Sequence, residues 1–353
     1  MKESNIKKQI LLDKNYKQLQ EVVESLGIKK FRAKQIFEGL HKGFSISEIS
    51  NLSKELRNKL TERYYDFPLE LVKTQESKDG TIKFLFKLTD GNLIESVLMR
   101  YKYGNSVCVS SQVGCRMGCK FCASGIKGLQ RNLTSGEILA QVLYINRYLQ
   151  GDIQDKREVK NIVMMGAGEP LDNFENVTKF IDIVNNPEGI NISQRNIAIS
   201  TCGMVDKIKA LADSGYSVTL TLSLHSAKDD IRQDIMPTAK ANNVKQLLEA
   251  CYYYFEKTGR RVSIEYILIE DITATRKQDL ELIKLIKGKP FHVNLINLNK
   301  TIENGMQPAS KESIDMFQNL LKTSNISVSL RRELGSDIDA ACGQLKGKTE
   351  KGN

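Results

Sequence analysis

Apolar residues recur along this chain at two spacings, and the spacings separate its parts. Near the N-terminus Ala33, Ile36, Phe37 and Leu40 repeat at three- and four-residue intervals, as do Leu52, Leu56 and Leu60. That period predicts helices with one apolar face. Residues 81–88, TIKFLFKL, alternate like a half-buried strand. Asp90-Gly91 then supplies a turn into NLIESVLM, so the two segments predict a β-hairpin.

Beyond residue 100 strand-like and helix-like runs alternate. Apolar runs fall at 107–110, 161–165, 196–200, 217–224, 262–269, 292–298 and 326–330. Most are continuous, as expected of parallel strands covered on both faces. Ile138, Val142, Ile145 and Leu149 form one helical stripe between them, and Phe174, Val177, Ile181 and Val184 another. Thr134 with Glu137 makes a capping box at the start of the first, and Leu133 with Ile138 a hydrophobic staple. About six β–α units in series predict a parallel barrel or an open α/β sheet. In a barrel, function sits at the C-terminal ends of the strands. Polar and glycine-rich sequence collects there: Cys115 to Cys122, Gly166-Ala167-Gly168-Glu169-Pro170, Ser200-Thr201-Cys202-Gly203, Ser223-Leu224-His225, and Asn299.

Composition narrows the setting. The chain has 353 residues, 41% hydrophobic and 27% charged, which excludes wholesale disorder. No run approaches the ~18 apolar residues of a membrane span. The first residues are charged without an apolar core, so no signal peptide is expected and the cytoplasm is the expected compartment. Lys and Arg total 52 against 42 Asp and Glu, a net +10 that favours an anionic partner, nucleic acid before membrane. From Ser96 to Gly136 there are six basic residues, Arg100, Lys102, Arg116, Lys120, Lys127 and Arg131, and no acid. Phosphate attraction is one reading of that stretch; balancing a negatively charged site is the other.

The seven cysteines fit a disulfide framework poorly. Cys202 and Cys251 read as small buried hydrophobes. Cys115, Cys119 and Cys122 place three thiols in one loop. A closed zinc site takes four ligands, as does a ferredoxin-type cluster. A zinc knuckle completed by Cys108 or His225 is the plainer alternative to a cluster with one iron left open.

The CxxxCxxC run, with Phe121 before its last cysteine, resembles the signature of radical S-adenosylmethionine enzymes. GAGEP resembles their glycine–glycine–glutamate element. Residues 93–125, LIESVLMRYKYGNSVCVSSQVGCRMGCKFCASG, together with FRAKQIFEGLHKG, VMMGAGEP, LSLHS and RRELGSDIDAACGQL, extend the likeness over about residues 20–346. On these segments the chain is identified as a member of the RlmN/Cfr class of radical methyltransferases acting on adenine in RNA. The resemblance implies a partial (β/α)6 barrel over residues 96–346. It also implies a helical, RNA-binding accessory domain with a hairpin extension over 1–95, and a flexible tail over 347–353.

It further implies one 4Fe-4S cluster held by Cys115, Cys119 and Cys122, and two S-adenosylmethionine molecules per turnover. The first methylates Cys342. The second yields a 5′-deoxyadenosyl radical that takes a hydrogen from the S-methyl group, and the methylene radical adds to adenine. Glu95 is then the proton acceptor. Cys108 attacks the linked cysteine, forms a Cys108–Cys342 disulfide and frees the product. Gly168, Glu169, Ser200, Ser223, Leu224, His225 and Asn299 are the implied cofactor contacts. The implied substrates are adenine C2 in the peptidyl transferase centre of 23S rRNA and in the tRNA adenosine 3′ of the anticodon. The implied partners are an external one-electron donor and a thiol reductant, with the protein acting as a monomer and without a membrane. Cfr-type methylation at C8 is an alternative. Val113 stands where Cfr members tend to carry a further cysteine. A catalytically inactive RNA-binding paralogue is another. The chain departs from the class pattern at VNLINLNKT (residues 293–301), at Asp271-Ile272-Thr273-Ala274, and after Met236-Pro237.

Overall fold

The computed structural model describes residues 8–299 and 305–345. The expected tail over 347–353 and the Lys300-Thr301 end of one departure lie outside the described residues. Three helices come first: α1 (Tyr16–Ser25), α2 (Arg32–His41) and α3 (Lys54–Arg63). Asn15 caps α1 in a reciprocal pair with Gln18, and Ser53 caps α3. Their apolar faces, carrying Leu19, Val23, Ile36, Phe37, Leu40 and Leu60, are buried.

Four strands follow, β1 (Leu69–Glu76), β2 (Ile82–Leu88), β3 (Leu93–Tyr101) and β4 (Gly104–Cys108), each antiparallel to the next. The β2–β3 hairpin turns at Gly91, whose φ of +87° a side chain would resist. The expected boundary at residue 95 falls inside β3, and the sheet runs across it. Residues 81–88 alternate in sequence but not in burial. Phe84 and Phe86 pack edge-on to Tyr144, while Lys83 and Leu85 on the other face are buried too.

A two-stranded ribbon, β5 (Gln112–Gly114) with β6 (Leu129–Asn132), flanks the cysteine loop. The chain then alternates: α4 (Ser135–Tyr148), β7 (Val159–Met164), α5 (Phe174–Val184), β8 (Ile197–Thr201), α6 (Val205–Asp213), β9 (Thr219–Ser223), α7 (Asp229–Ile235), α8 (Val244–Thr258), β10 (Val262–Leu268), α9 (Arg276–Ile286), β11 (Phe291–Asn297), α10 (Lys311–Thr323) and β12 (Ser327–Leu330). The main sheet has the order β1-β2-β3-β4-β7-β8-β9-β10-β11-β12. From β4 to β12 all neighbours are parallel, which makes six β–α–β crossovers. Met164, Ser200, Ser223, Glu265 and Ile296, from five successive strands, line one cleft. The sheet is therefore curled into a partial barrel.

Residues 331–345 then return across the inner side of β3 and β4. Leu334, Ala340 and Leu345 pack with Val97, Met99 and Cys108. The β1–β2 turn grips this segment. Gly335 N donates to Asp79 Oδ2 at 2.9 Å, and Ser77 Oγ donates to Asp337 Oδ1 at 2.5 Å. The antiparallel extension thus serves as a clamp for the C-terminal segment, which explains why both faces of β2 are covered. Among the described residues no helix is long and apolar enough to cross a membrane.

Candidate active site

The cysteine loop lies between β5 and β6 and is pinned by backbone bonds. Cys115 N donates to Gly128 O at 3.2 Å, and Lys120 N to Ile235 O at 2.9 Å. Gly114, at φ +76°, lets the ribbon close, since a Cβ there would lie 2.0 Å from Gly128 O. Cys115, Cys119 and Cys122 all line a cleft of about 900 Å³ at the C-terminal ends of the barrel strands. Burial pushes the Cys115 thiol up to about 12 and raises the other two; the three sulfurs also disfavour one another's charge. A bound cation reverses that balance and removes the protons, so three such thiols are of a kind that a metal centre deprotonates and binds. Among the described residues no three His, Cys, Asp or Glu side chains converge as a single ion needs. An iron–sulfur cluster spreads its thiolates over different irons, an arrangement that three cysteines on one loop can serve. Cys108 lies outside this cleft, and His225 uses one ring nitrogen elsewhere.

The strand-end loops supply the opposite wall. Gly166 and Gly168 approach β5 and its lead-in closely; a Cβ on Gly168 would meet Gln112 Cβ at 2.6 Å. Glu169 is buried, accepting from Leu171 N at 3.0 Å and from Cys202 N at 2.7 Å. Burial raises its pKa, and the two N–H groups oppose that rise. Its carboxylate ties the loop after β7 to the loop after β8. Ser200 Oγ and Ser223 Oγ lie 3.1 Å apart on the cleft wall. His225, at φ +60°, accepts from Ile267 N at 3.1 Å through Nδ1, and its ring meets Phe121 edge to face at 4.9 Å. Burial, with Arg232 adding to it, lowers its pKa to about 3. The ring is therefore neutral, with the proton on Nε2.

Leu224 follows the last residue of β9. It is fully buried in the main apolar core, and its N–H points to Glu265 O at 3.1 Å. Ser223 lines the cleft, whereas the Leu224 side chain is packed in the core.

Cys342 sits where two cavities meet. It lines the cleft of the three cysteines and also a second cavity that contains Cys108. Its backbone is held from both sides. Asn299 Nδ2 donates to Cys342 O at 3.1 Å, and Ala123 N, next to Cys122, donates to Gly343 O at 2.7 Å. Cys108 is buried at the end of β4; burial and then the Cys342 sulfur push its thiol up to about 12. Glu95 projects from β3 on the same face as Val97, the cross-strand partner of Cys108. It lines a third cavity with Gln112, Val113, Lys127 and Gln130. Leu345 borders both the second and third cavities.

The fold thus brings Cys115, Cys119, Cys122, Cys342, Gly168, Glu169, Ser200, Ser223, His225 and Asn299 into one cleft, with Cys108 and Glu95 in adjoining spaces. Sequence reasoning missed four residues here. Arg331 borders both thiol cavities and lies 3.4 Å from Glu265 Oε2; the Cys342 sulfur and then Glu265 favour its charged form. Glu265 was detectable as a lone acid inside an otherwise apolar strand. Arg232 is buried, and its guanidinium donates to Cys202 O at 2.5 Å and Leu224 O at 3.0 Å. Cys202 lines the cleft beside Glu169, whereas Cys251 is core. The stretch that is free of acid in sequence is not so in space. Arg116 pairs with Asp172, Lys120 with Asp234 at 2.6 Å, and Arg131 with Glu137 at 2.7 Å. Arg100, Lys102 and Lys127 carry the remaining charge.

Comparison with known proteins agrees with this geometry. The family model described as Radical SAM superfamily matches residues 109–283, and that described as Ribosomal RNA large subunit methyltransferase N-terminal domain matches residues 10–65. The superfamily implies a 4Fe-4S cluster and S-adenosylmethionine, for which the three-thiol loop and the cleft beside it are the fitting places. A solved radical SAM methyltransferase from Sphaerobacter thermophilus superposes with a TM-score of 0.92 at 39% identity, covering 96% of this chain and 100% of its own. A probable dual-specificity RNA methyltransferase RlmN from Clostridium perfringens (strain 13) is 49% identical over 95% of this chain and 96% of its own length. One from Lachnoclostridium phytofermentans is 50% identical over 93% and 92%. Likeness at this level, along nearly the whole of both chains, makes this protein a member of the RlmN family of radical S-adenosylmethionine methyltransferases.

Proposed function

We propose that this chain methylates C2 of adenine in RNA, in the peptidyl transferase centre of 23S rRNA and 3′ of the anticodon in tRNA, by way of an S-methylated Cys342. One observation carries the reading: Cys342 borders both the cleft of the cluster cysteines and the cavity of Cys108. A methyl carrier has to face the place where it is loaded and the place where it is unloaded. When bound, the cluster and two S-adenosylmethionine molecules per turnover supply the one-carbon unit and the radical chemistry that an electron-poor ring carbon requires.

The chain's own residues do the rest. Cys115, Cys119 and Cys122 hold the cluster. Gly168 leaves room for a ligand along the strand-end backbone, and Ser200, Ser223 and the Nε2–H of His225 offer polar contacts to the cofactor. Asn299 and the cysteine loop orient Cys342. Glu95 takes the ring proton as a carboxylate and becomes a carboxylic acid. Cys108 attacks the Cys342 sulfur; the S–S bond forms as the sulfur–carbon bond to the product breaks, the thiol proton goes to the released carbon to complete the methyl group, and the unpaired electron left by radical addition leaves to an external redox partner. An external thiol reductant reopens the disulfide, and an external donor supplies electrons to the cluster. Residues 1–95 serve as the RNA-binding accessory unit of a cytoplasmic monomer.

The test is mass spectrometry of nucleosides from RNA treated with anaerobically reconstituted protein. The expected product is 2-methyladenosine. 8-Methyladenosine would transfer the assignment to the Cfr type, and unmodified RNA to an inactive paralogue.

A further inference from the structure

We propose that Lys83 is a positioning residue for the reaction, aligning the Glu95 carboxylate with the segment that carries Cys342. The inference rests on the reading of Glu95 as proton acceptor given above.

The sequence offers two lysines on β2, and the fold treats them oppositely. Lys87 is half-exposed and pairs with an exposed Glu70. Lys83 is only 7% exposed, on the inner face, covered by the C-terminal segment. It lies opposite Val97 on β3, which in turn lies opposite Cys108 on β4. Lys83, Val97 and Cys108 therefore form one row across three strands, with Glu95 one alternate step along β3.

The Lys83 ammonium makes two contacts. Its Nζ is 3.4 Å from Glu95 Oε1, with both side chains less than 10% exposed. It also donates to Asp339 O at 3.2 Å. Asp339 lies three residues before Cys342, in a left-handed conformation at φ +51°. One cation thus touches the expected base and the strap of the expected methyl carrier. Stability gives a poor account of this arrangement. A buried ion pair is commonly replaced by apolar side chains at little cost in stability, and Leu85 shows that this face of β2 accommodates one. Geometry gives a better account. A glutamate has three side-chain torsions to fix, and a charged, hydrogen-bonding neighbour restricts them. The C–H bond to be broken is on a ring attached to Cys342. Fixing Glu95 to the Asp339 carbonyl keeps the carboxylate in register with that ring. The proton then passes to Glu95 while the C–H electron pair stays in the ring.

The experiment uses full-length protein, anaerobically reconstituted, with RNA. For Lys83→Met, iron content and S-methylation of Cys342 should match wild type, because neither needs Glu95. Formation of 2-methyladenosine should fall by about tenfold or more, a part of what a general base contributes, and a covalent protein–RNA adduct should accumulate. Lys83→Arg should recover most of that loss, and Lys83→Met combined with Glu95→Gln should be no slower than Glu95→Gln alone. Wild-type product formation by Lys83→Met, alongside an impaired Glu95→Gln, would overturn the proposal. Loss of Cys342 methylation in both Lys83→Met and Lys83→Arg would also overturn it, making Lys83 a structural strut. Wild-type turnover by Glu95→Gln would instead remove the proton-acceptor reading itself.

Discussion

The side-chain amide of Asn299 donates to the carbonyl of Cys342 at 3.1 Å, across a gap of 43 residues. The bond joins the rim after β11 to the segment that closes the barrel's open side. Asn299 is thus an anchor for a cysteine as well as a residue that lines the cleft. Removing a hydrogen bond of this kind costs about 1 kcal/mol, or roughly fivefold in a rate that depends on it. Asn299→Ala should therefore lower methyl transfer to RNA about fivefold relative to S-adenosylmethionine consumed. Measuring 5′-deoxyadenosine and methylated nucleoside in the same reaction gives that ratio. An unchanged ratio would confine Asn299 to cofactor binding.

Cys108 and Cys342 both line the second cavity, and their replacements should fail differently. In the proposed mechanism Cys342 is the carrier, so Cys342→Ala should form no methylated RNA above background. In the same mechanism a protein without Cys108 loads the carrier and reacts but does not release the product. Cys108→Ala should therefore run on a denaturing gel as a covalent protein–RNA species. A fully active Cys342→Ala protein would rule out a cysteine carrier.

His225 should stay neutral across the working range. Its pKa is lowered to about 3 by burial, and Nδ1 already accepts from Ile267 N. The pH profile of cofactor binding should accordingly show no inflection near 6.5. His225→Gln, which cannot reproduce the ring contact with Phe121, should weaken S-adenosylmethionine binding by about tenfold, the scale of one lost polar contact with its packing. Equilibrium binding from pH 5 to 8 tests both statements. A midpoint near 6.5 that disappears in His225→Gln would contradict the neutral assignment.

Much of the fold and of the site is legible in the sequence, and what is not shares one cause. The parallel strands could be read because each is a continuous apolar run that stops at glycine or a small polar residue. The cysteine loop could be read because its spacing is unlike that of core cysteines. What could not be read depends on residues far away in sequence. The alternation of 81–88 marks two faces of a strand, but the cover on the Lys83 face comes from Leu334 to Ala340, about 250 positions later. The acid-free stretch around the cysteines is answered by Asp172 and Asp234, which no local window includes. Leu224 shares a motif with Ser223 and His225, yet its side chain is packed in the apolar core while theirs line the cleft.

Asp279 supplies a last prediction, outside the site. It lies on α9, fully buried, with both carboxylate oxygens unpartnered. Burial raises its pKa from 3.8 to about 7. The sign follows from linkage. The unfolded chain releases this proton near 3.8 and the folded chain retains it to about 7. Its contribution to stability is thus complete below pH 3.8 and is lost as the pH rises through 7. At pH 8 the folded protein holds a buried, uncompensated carboxylate. Asp279→Thr removes that charge at similar volume, and Asp279→Asn removes it while keeping the shape. At pH 8 both should raise the melting temperature, by about 2–4 °C for each kcal/mol recovered in a chain this large. The advantage should shrink as the pH is lowered toward 5, because the wild-type carboxyl regains its proton. Melting curves from pH 5 to 8 make the comparison. A difference between variant and wild type that stays constant over that range would mean that Asp279 does not titrate there.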